Sequence, residues 1–329
     1  MDANLQFWRT EGQSFFQRFL LWVDALDPLL LLKSSDEIRS SRLLLQNSLK
    51  TPSEPIQNDQ TRQAFLLSLS SVQPDTGHIT PVMCRPPAKF FLPGNCLSLS
   101  LPIHKSSSLH PKFMFAYALW FLQFAFHTYT TVFTLLNGNH TAKAEGYSIS
   151  EKQIYLGLGA ISYASFIGAF PLVFMNHYMS KNPLGQLVVK KLLHGPLLGL
   201  MSTFTVAVVR SPEFENGIEV MDRNGNVVGV SKKAGEKAVK ETALSRAALF
   251  GTTFFLPTVL MSFVERTKLA KTPRALSSVR MLLITSLLAG MLPASLSLYP
   301  QCGQIKRADL EPEIASSTEA EELFYNRGI

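Results

Sequence analysis

The sequence is poor in charge and in cysteine. Charged residues make up 17% of its 329 residues, whereas a typical soluble domain has about 25%. The three cysteines, Cys84, Cys96 and Cys302, form an odd set without close spacing, which excludes a disulfide framework and a Cys-x-x-Cys metal pair. Hydrophobic residues make up 46% of the chain. Few charged residues and many hydrophobic residues are typical of a membrane protein, which is solvated partly by lipid.

Motifs of enzymes and metal sites are also missing. The chain has no Gly-x-Ser-x-Gly, Walker loop or His-Glu-x-x-His, and its seven histidines show no ligand spacing. Asp222, Asn224 and Asn226 resemble the start of a calcium loop, but Val227 and Lys233 replace the glycine and the glutamate that such a loop needs. The basic residues are not interleaved with aromatic residues. The sequence therefore predicts no enzyme, metal, cofactor or nucleic-acid binding.

An uncharged run over residues 113–136 indicates a membrane helix. About 20 residues at about 1.5 Å per residue are enough to cross the apolar core of a bilayer. Within the run, Gln123, His127, Thr131 and Thr134 recur at helical spacing. In lipid, polar side chains turn towards other helices or a watery path. The run therefore predicts a transmembrane helix that is surrounded by further spans.

Four later uncharged runs have a length suitable for spans. They cover residues 155–175, 192–209, 247–264 and 281–299. Each contains one proline, which kinks a helix and in transporters often lines the substrate path, although proline is common in membrane helices generally. The residues that we interpret as a candidate substrate path are Gln123, His127, Thr131, Pro196 and Pro257. The alternative role for His127 is a satisfied hydrogen bond between helices.

The N-terminal region, residues 1–87, has helical patterns but no run of membrane length. Its first apolar helical face, residues 7–23, indicates a helix packed within its own domain or one lying on the membrane surface. Ser34 and Glu37 form a capping box for a second helix. The following segment, residues 88–104, is too short to span and contains Pro93-Gly94-Asn95, which favours a re-entrant or interfacial segment over a buried loop.

The remaining regions are the connection 210–246 and the tail 300–329. In the connection, Asn224-Gly225 between two apolar pairs predicts a β-hairpin, and a helix follows it. The sequence thus predicts an all-α membrane protein with about five transmembrane helices, a helical N-terminal region, a re-entrant or interfacial segment and one small hairpin. Basic residues concentrate in the second and fourth connections, so the positive-inside rule places the N-terminal region on the side of insertion and the tail opposite.

Several short motifs follow the pattern of one known family. They are Arg18-Phe19 with Asp27-Pro28, Pro74-Asp75-Thr76-Gly77, Asp222-Arg223-Asn224-Gly225-Asn226, Tyr299-Pro300-Gln301 and Phe324-Tyr325-Asn326-Arg327-Gly328. With these motifs the chain resembles the sideroflexins, multi-span proteins of the mitochondrial inner membrane, over nearly its whole length. The resemblance implies that the N-terminal region faces the matrix and that the tail lies in the intermembrane space.

The chain also departs from the family pattern. Gln73 and His78 flank the Pro74–Gly77 motif where typical members have His and Glu, and the first span carries His127-Thr-Tyr-Thr-Thr131 where they are rich in asparagine. Typical sideroflexins are associated with serine transport. The chain looks closest to a divergent member, which implies either a carrier of a small neutral amino acid or solute other than serine, or a non-transporting assembly factor for respiratory complex I with a link to iron–sulfur or iron homeostasis. The expected partners are the lipid bilayer, a small neutral amino acid and complex I assembly proteins.

Overall fold

The computed structural model describes residues 2–48, 59–91, 109–140, 151–178, 194–267 and 272–329. Its helices are α1 (Ala3–Glu11), α2 (Phe15–Ala25), α3 (Ser35–Ser48), α4 (Asp59–Ser71), α5 (Leu109–Asn137), α6 (Glu151–Tyr178), α7 (His194–Val209), α8 (Ser211–Glu215), α9 (Lys232–Thr267), α10 (Pro273–Ser297) and α11 (Pro312–Ser317). Its strands are β1 (Ile218–Met221), β2 (Val227–Ser231), β3 (Cys302–Lys306) and β4 (Glu322–Asn326). The predicted all-α membrane class is confirmed.

The long apolar helices form a bundle. Within the described residues, three stretches have the length and composition to cross a membrane: Glu151–Phe170, Lys232–Thr267 and Ala275–Ser297. The predicted span 113–136 lies within α5, which has 29 residues. The predicted helix after the hairpin and the predicted span 247–264 are one continuous helix, α9, of 36 residues. Most of the predicted segment 88–104, and residues 192–193, lie outside the described residues.

The N-terminal region begins with two helices where the sequence suggested one. Ser14 caps α2 in a capping box with Gln17, so the chain breaks between α1 and α2. Phe7 on α1 is buried and stacks on Phe65 of α4, with 3.8 Å between ring centroids. By contrast, α2 leaves Phe16 exposed, as a helix on the membrane surface would. The first helix therefore packs within its domain, and the second keeps an apolar face free.

The expected hairpin is one half of a four-stranded antiparallel sheet with the order β2-β1-β4-β3. Val220 pairs with Gly229 and Met221 with Val227, because the register shifts between Val220 and Met221. The tail supplies the other two strands, which the sequence did not indicate. Glu311 of the tail accepts the backbone N–H groups of Lys232 and Lys233 at 2.9 and 3.0 Å and so caps α9.

The N-terminal region and the tail lie at the same end of the bundle. Arg18 Nε donates to the carbonyl oxygen of Ser297, at the end of α10, at 3.0 Å. Asn326 Nδ2 donates to Asp75 Oδ1 at 2.7 Å. The backbone N–H of Ile329 donates to the carbonyl oxygen of Asn137, at the end of α5. The expectation that the two regions face opposite sides of the membrane is therefore wrong, because they contact each other directly.

Candidate functional site

The polar residues of α5 form a buried stripe. Gln123 and His127 have no exposed surface, and Thr131 and Thr134 are each 2% exposed. Since these residues are three or four positions apart, they share one face of the helix. The structure thus brings together the three α5 residues of the predicted substrate path.

Glycines of α6 face this stripe. A Cβ atom at Gly168 would lie 3.2 Å from Gln123 Oε1, and one at Gly157 would lie 3.6 Å from Thr131 Cγ2. Without side chains at these two positions, the backbone of α6 can approach α5 closely. In this conformation the stripe is closed against a neighbouring helix.

Most polar atoms of the stripe have no hydrogen-bond partner in the described part of the chain. This holds for both side-chain polar atoms of Gln123, for both ring nitrogens of His127 and for Thr131 Oγ1. Thr134 is different, because its hydroxyl donates to the carbonyl oxygen of Thr130 at 2.8 Å. The described residues therefore do not supply the interhelical hydrogen bond that was the alternative role of His127.

The two prolines of the predicted path are placed differently. Pro196 is exposed on α7, so it lies outside the buried interface that holds the stripe. Pro257 is buried inside α9, where it leaves the helix continuous. The structure therefore does not bring Pro196 to the stripe.

The Pro74-Asp75-Thr76-Gly77 motif is a turn that holds the tail. Gly77 has a φ of 68°, which favours glycine, and Thr76 donates through its N–H and its hydroxyl to Gln73 Oε1. Asp75 Oδ2 accepts the backbone N–H of His140 at 2.8 Å, and Oδ1 accepts from Asn326 of β4. Burial raises the pKa of Asp75 to about 6, although these hydrogen bonds oppose the shift.

Comparison with known proteins decides the family. A family model described as Sideroflexins matches residues 2–329. The chain belongs to the sideroflexin family. Proteins named Sideroflexin-4 are similar to it over its full length, with 44% identity in Danio rerio and 37% in Bos taurus, each over 100% of both chains. The Homo sapiens Sideroflexin-4 is 35% identical over 100% of this chain and 93% of its own. No solved structure matches.

The second motif of this sideroflexin, Asp222 to Asn226, is also a structural turn. Asp222 Oδ1 accepts the backbone N–H groups of Asn224 and Asn226, each at 2.8 Å. Gly225 adopts a φ of 87°. The turn contacts the N-terminal region, because Arg9 donates to the carbonyl oxygen of Arg223. Both motifs thus join segments that are far apart in the sequence, and neither borders the stripe.

Sequence reasoning missed two buried basic side chains of this sideroflexin. Lys89, in the 3₁₀ turn Pro86–Phe91, is 4% exposed, and Arg246 of α9 is 3% exposed. Both lie against the Phe133 ring of α5: Lys89 Nζ is 3.7 Å and Arg246 Cζ 5.3 Å from its centroid. Arg246 only marked the edge of the uncharged run 247–264. A basic residue directly beside an uncharged run is the sequence signal that could have indicated a buried basic side chain.

Proposed function

We propose that this sideroflexin is a multi-pass carrier of a small neutral or zwitterionic solute in the mitochondrial inner membrane. The observation that supports a carrier is the buried stripe, in which Gln123 and His127 keep their side-chain polar atoms without partners in the described part of the chain. A buried polar group without a hydrogen bond costs about 1–3 kcal/mol. Such residues in membrane helices are retained for function more often than for stability.

The same residues argue for a solute other than serine. His127 and Thr131 stand in the part of the first span where typical family members are rich in asparagine. An imidazole and a methyl-bearing hydroxyl offer fewer fixed donors and acceptors than amide side chains. The stripe is closed against Gly157 and Gly168, so transport requires α5 and α6 to separate. The N-terminal region and the tail then remain together on one side.

Transport by the full-length protein in sealed liposomes tests this function. We expect uptake of at least one labelled neutral amino acid above the level of empty liposomes, with no competition by serine. Gln123→Leu and His127→Leu are expected to reduce this uptake at least tenfold, because they remove the polar atoms of the stripe. Phe121→Leu is the matched control, since Phe121 lies on the same helix but is exposed. Uptake equal to that of empty liposomes for every solute would contradict the proposal.

A second candidate function is a non-transporting assembly factor for respiratory complex I, with a link to iron–sulfur or iron homeostasis. The observation that favours it is the four-stranded sheet, which has its own core around Val220, Leu323 and Tyr325. Its edge strand β2 leaves Val227 and Val230 exposed, and such an edge can pair with another chain.

Purification from cells in mild detergent tests the second function. Complex I subunits or assembly proteins are expected to co-purify with the wild-type chain and to be lost from Val230→Lys, which places a charge on the exposed edge strand. Lys240→Gln, an exposed change on α9, is the control. Absence of these proteins from the wild-type sample would remove the basis of this candidate.

A further inference from the structure

The helix α2 has an apolar side that no other described part of the chain covers. Phe16 is 75% exposed and Leu20 58%, and Phe15 and Val23 are exposed beside them. The ring of Phe19 stacks on that of Phe15, with 6.2 Å between centroids. With 3.6 residues per turn, these positions share one side of the helix. An exposed apolar patch of this kind marks a contact with a membrane or with another protein.

The opposite side of α2 is buried against α4 and α10. Leu21 and Trp22 belong to the core that these helices share. Arg18 is also on this side, and its guanidinium donates to backbone carbonyl oxygens: Nε to Ser297 of α10 at 3.0 Å, and Nη1 to Gly12 and Gln13 at 3.2 and 2.9 Å. Backbone carbonyls are typical acceptors for a charged side chain near lipid. The charge of Arg18 thus points away from the exposed apolar side.

A narrow polar strip separates the two sides. Gln17 and Asp24 are seven positions apart, about two helical turns, so they lie on one line along α2. Gln17 is exposed, and Asp24 pairs with Arg62 of α4 at 2.6 Å at the surface. The helix therefore has a protein side, an apolar side and a polar side. A helix that lies in the plane of a membrane interface needs the last two of these.

The position of α2 on α10 indicates what covers the apolar side. Only 11% of the most apolar stretch of α10 is buried by the protein, and Leu282 and Leu298 are exposed on this helix. Lipid therefore surrounds much of α10. The contact of Arg18 with Ser297 lies within the uncharged run 281–299, so α2 packs where the lipid-facing surface of α10 ends. The exposed side of α2 continues that surface.

We propose that α2 lies parallel to the membrane plane in the interfacial layer, with its phenylalanine side among the acyl chains and its polar strip towards the headgroups. An interfacial helix of this type enters the boundary between headgroups and acyl chains by about 5–10 Å. The 3₁₀ turn Pro28–Leu32 follows α2 and adds Leu29 and Leu32, which are exposed, to the lipid contact. The occupant is lipid, because a protein partner would have to displace the lipid that surrounds α10 at the same depth. This contact does not depend on transport.

Carbene labelling of the wild-type protein in nanodiscs tests the contact without a substitution. The carbene precursor is attached to a phospholipid acyl chain, and trypsin then cleaves the protein. The peptides 10–18 and 19–33, which contain α2 and the following turn, are expected to carry label, as is peptide 281–306 of α10. Peptide 34–39 of α3 contains Asp36, whose side chain is 92% exposed, and should carry at least about fivefold less. Label in 281–306 but in neither 10–18 nor 19–33 would overturn the proposal.

Nitroxide labels distinguish lipid from water and from a protein partner. At Phe16→Cys and Leu20→Cys, with Cys96 replaced by serine, the label should collide more with dissolved oxygen than with a water-soluble nickel chelate. The ratio should lie within about twofold of that at the lipid-facing Leu282→Cys. Asp24→Cys, on the polar strip, is the matched control and should favour the nickel chelate.

Two results of the nitroxide experiment would overturn the proposal. A preference for the nickel chelate at Phe16→Cys and Leu20→Cys would show that water covers this side of α2. Low collision rates with both reagents would show that protein covers it, either a second copy or another chain. Thermal unfolding in the same nanodiscs shows whether each variant keeps its fold, and the labelling of the wild-type peptides decides the proposal if a variant does not.

Discussion

Among single residues, Glu213 of α8 is the counter-ion of a buried arginine. Its two carboxylate oxygens accept from Arg210 Nε and Nη2, both at 2.6 Å, and Arg210 is 2% exposed. Arg210 also donates to Thr242 Oγ1 at 2.9 Å and to the backbone of Arg327 in the tail. This bidentate pair therefore joins the end of α7, α9 and the tail.

We expect Glu213→Gln to lower the free energy of unfolding by about 3–5 kcal/mol, because it leaves Arg210 buried without a counter-ion. Chemical unfolding in mild detergent measures the change. Glu215→Gln on the same short helix is the control. Glu215 is exposed and pairs with Lys152 at the surface at 2.9 Å, so its loss should cost no more than about 1 kcal/mol. Equal effects of the two substitutions would contradict the role given to Glu213.

Asp75 is expected to make stability depend on pH. Its pKa is raised from an ordinary value of 3.8 to about 6, chiefly by burial. Between these values the unfolded chain has already released the proton that the folded protein still holds, so the contribution of this group to stability falls as the pH rises from about 4 to about 6. Asp75 as a whole residue is half-buried, and solvent screens part of the effect, so we expect a loss of about 2 kcal/mol at most over this range.

Unfolding temperatures between pH 4 and pH 7 measure this effect. Asp75→Asn has no carboxyl proton to release, so its unfolding temperature should fall less between pH 4 and pH 6 than that of the wild type. Asp36→Asn is the control, because the Asp36 side chain is 92% exposed, and it should keep the wild-type profile. Parallel profiles for all three proteins would show that Asp75 does not titrate in this range.

The residues of the candidate sites differ in how far the sequence predicts them. Spacing alone placed Gln123, His127 and Thr131 on one buried face, because helical periodicity is local. It did not predict the burial of Lys89 and Arg246, since burial of a basic side chain depends on which helices pack over it. No pattern predicted the groups that donate to Asp75, because His140 and Asn326 are distant in the sequence.

For whole elements, close packing against α9 fixes the position of α8. A Cβ atom at Gly235 would overlap the backbone carbonyl oxygen of Glu213 on α8, whereas one at Gly251, further along the same helix, would meet nothing within 4 Å. Gly235 is thus the position where α8 lies directly on α9.

We expect Gly235→Ala to lower the free energy of unfolding by about 3 kcal/mol or more, because backbone atoms must move to admit the methyl group. Gly251→Ala, which tests the same change in open space, should alter it by no more than about 1 kcal/mol. Thermal unfolding of the two variants in the same detergent compares them. A smaller loss for Gly235→Ala than for Gly251→Ala would contradict the close packing of α8 on α9.

Elements were predictable where their signal is local. Asn224-Gly225 indicated the hairpin, and Ser34 with Glu37 indicated the start of α3. The tail strands β3 and β4 were not predicted, because β4 pairs with β1, about 100 residues earlier in the chain, and β3 joins the sheet through β4. The break between α1 and α2 was missed although it has local signals: Gly12 ends α1, and Ser14 with Gln17 forms the capping box of α2.

At the scale of the whole molecule, the positive-inside rule gave the wrong relation between the two ends of the chain. The rule assigns a side to each connection from its basic residues. The relation between the two ends of the chain also depends on how many times the chain crosses the membrane. Five passages leave the regions before and after them on opposite sides. Arg18 bonds to the end of α10, and Asp75 bonds to Asn326, so the two regions share a side.

Labelling with a membrane-impermeant maleimide tests the shared side. Single cysteines at the exposed positions Ser35 of α3 and Ser316 of α11 should react from the same side of sealed membranes that contain the inserted protein, and Thr267→Cys at the far end of α9 should react from the other. Cys84 and Cys302 are buried, and Cys96 is first replaced by serine as a precaution. Polar contacts between Asp75, Asn326 and the end of α5 cannot form across an apolar layer about 30 Å thick. Reaction of Ser35→Cys and Ser316→Cys from opposite sides would show that these polar contacts do not form in the membrane. It would also contradict the packing that closes the stripe of α5.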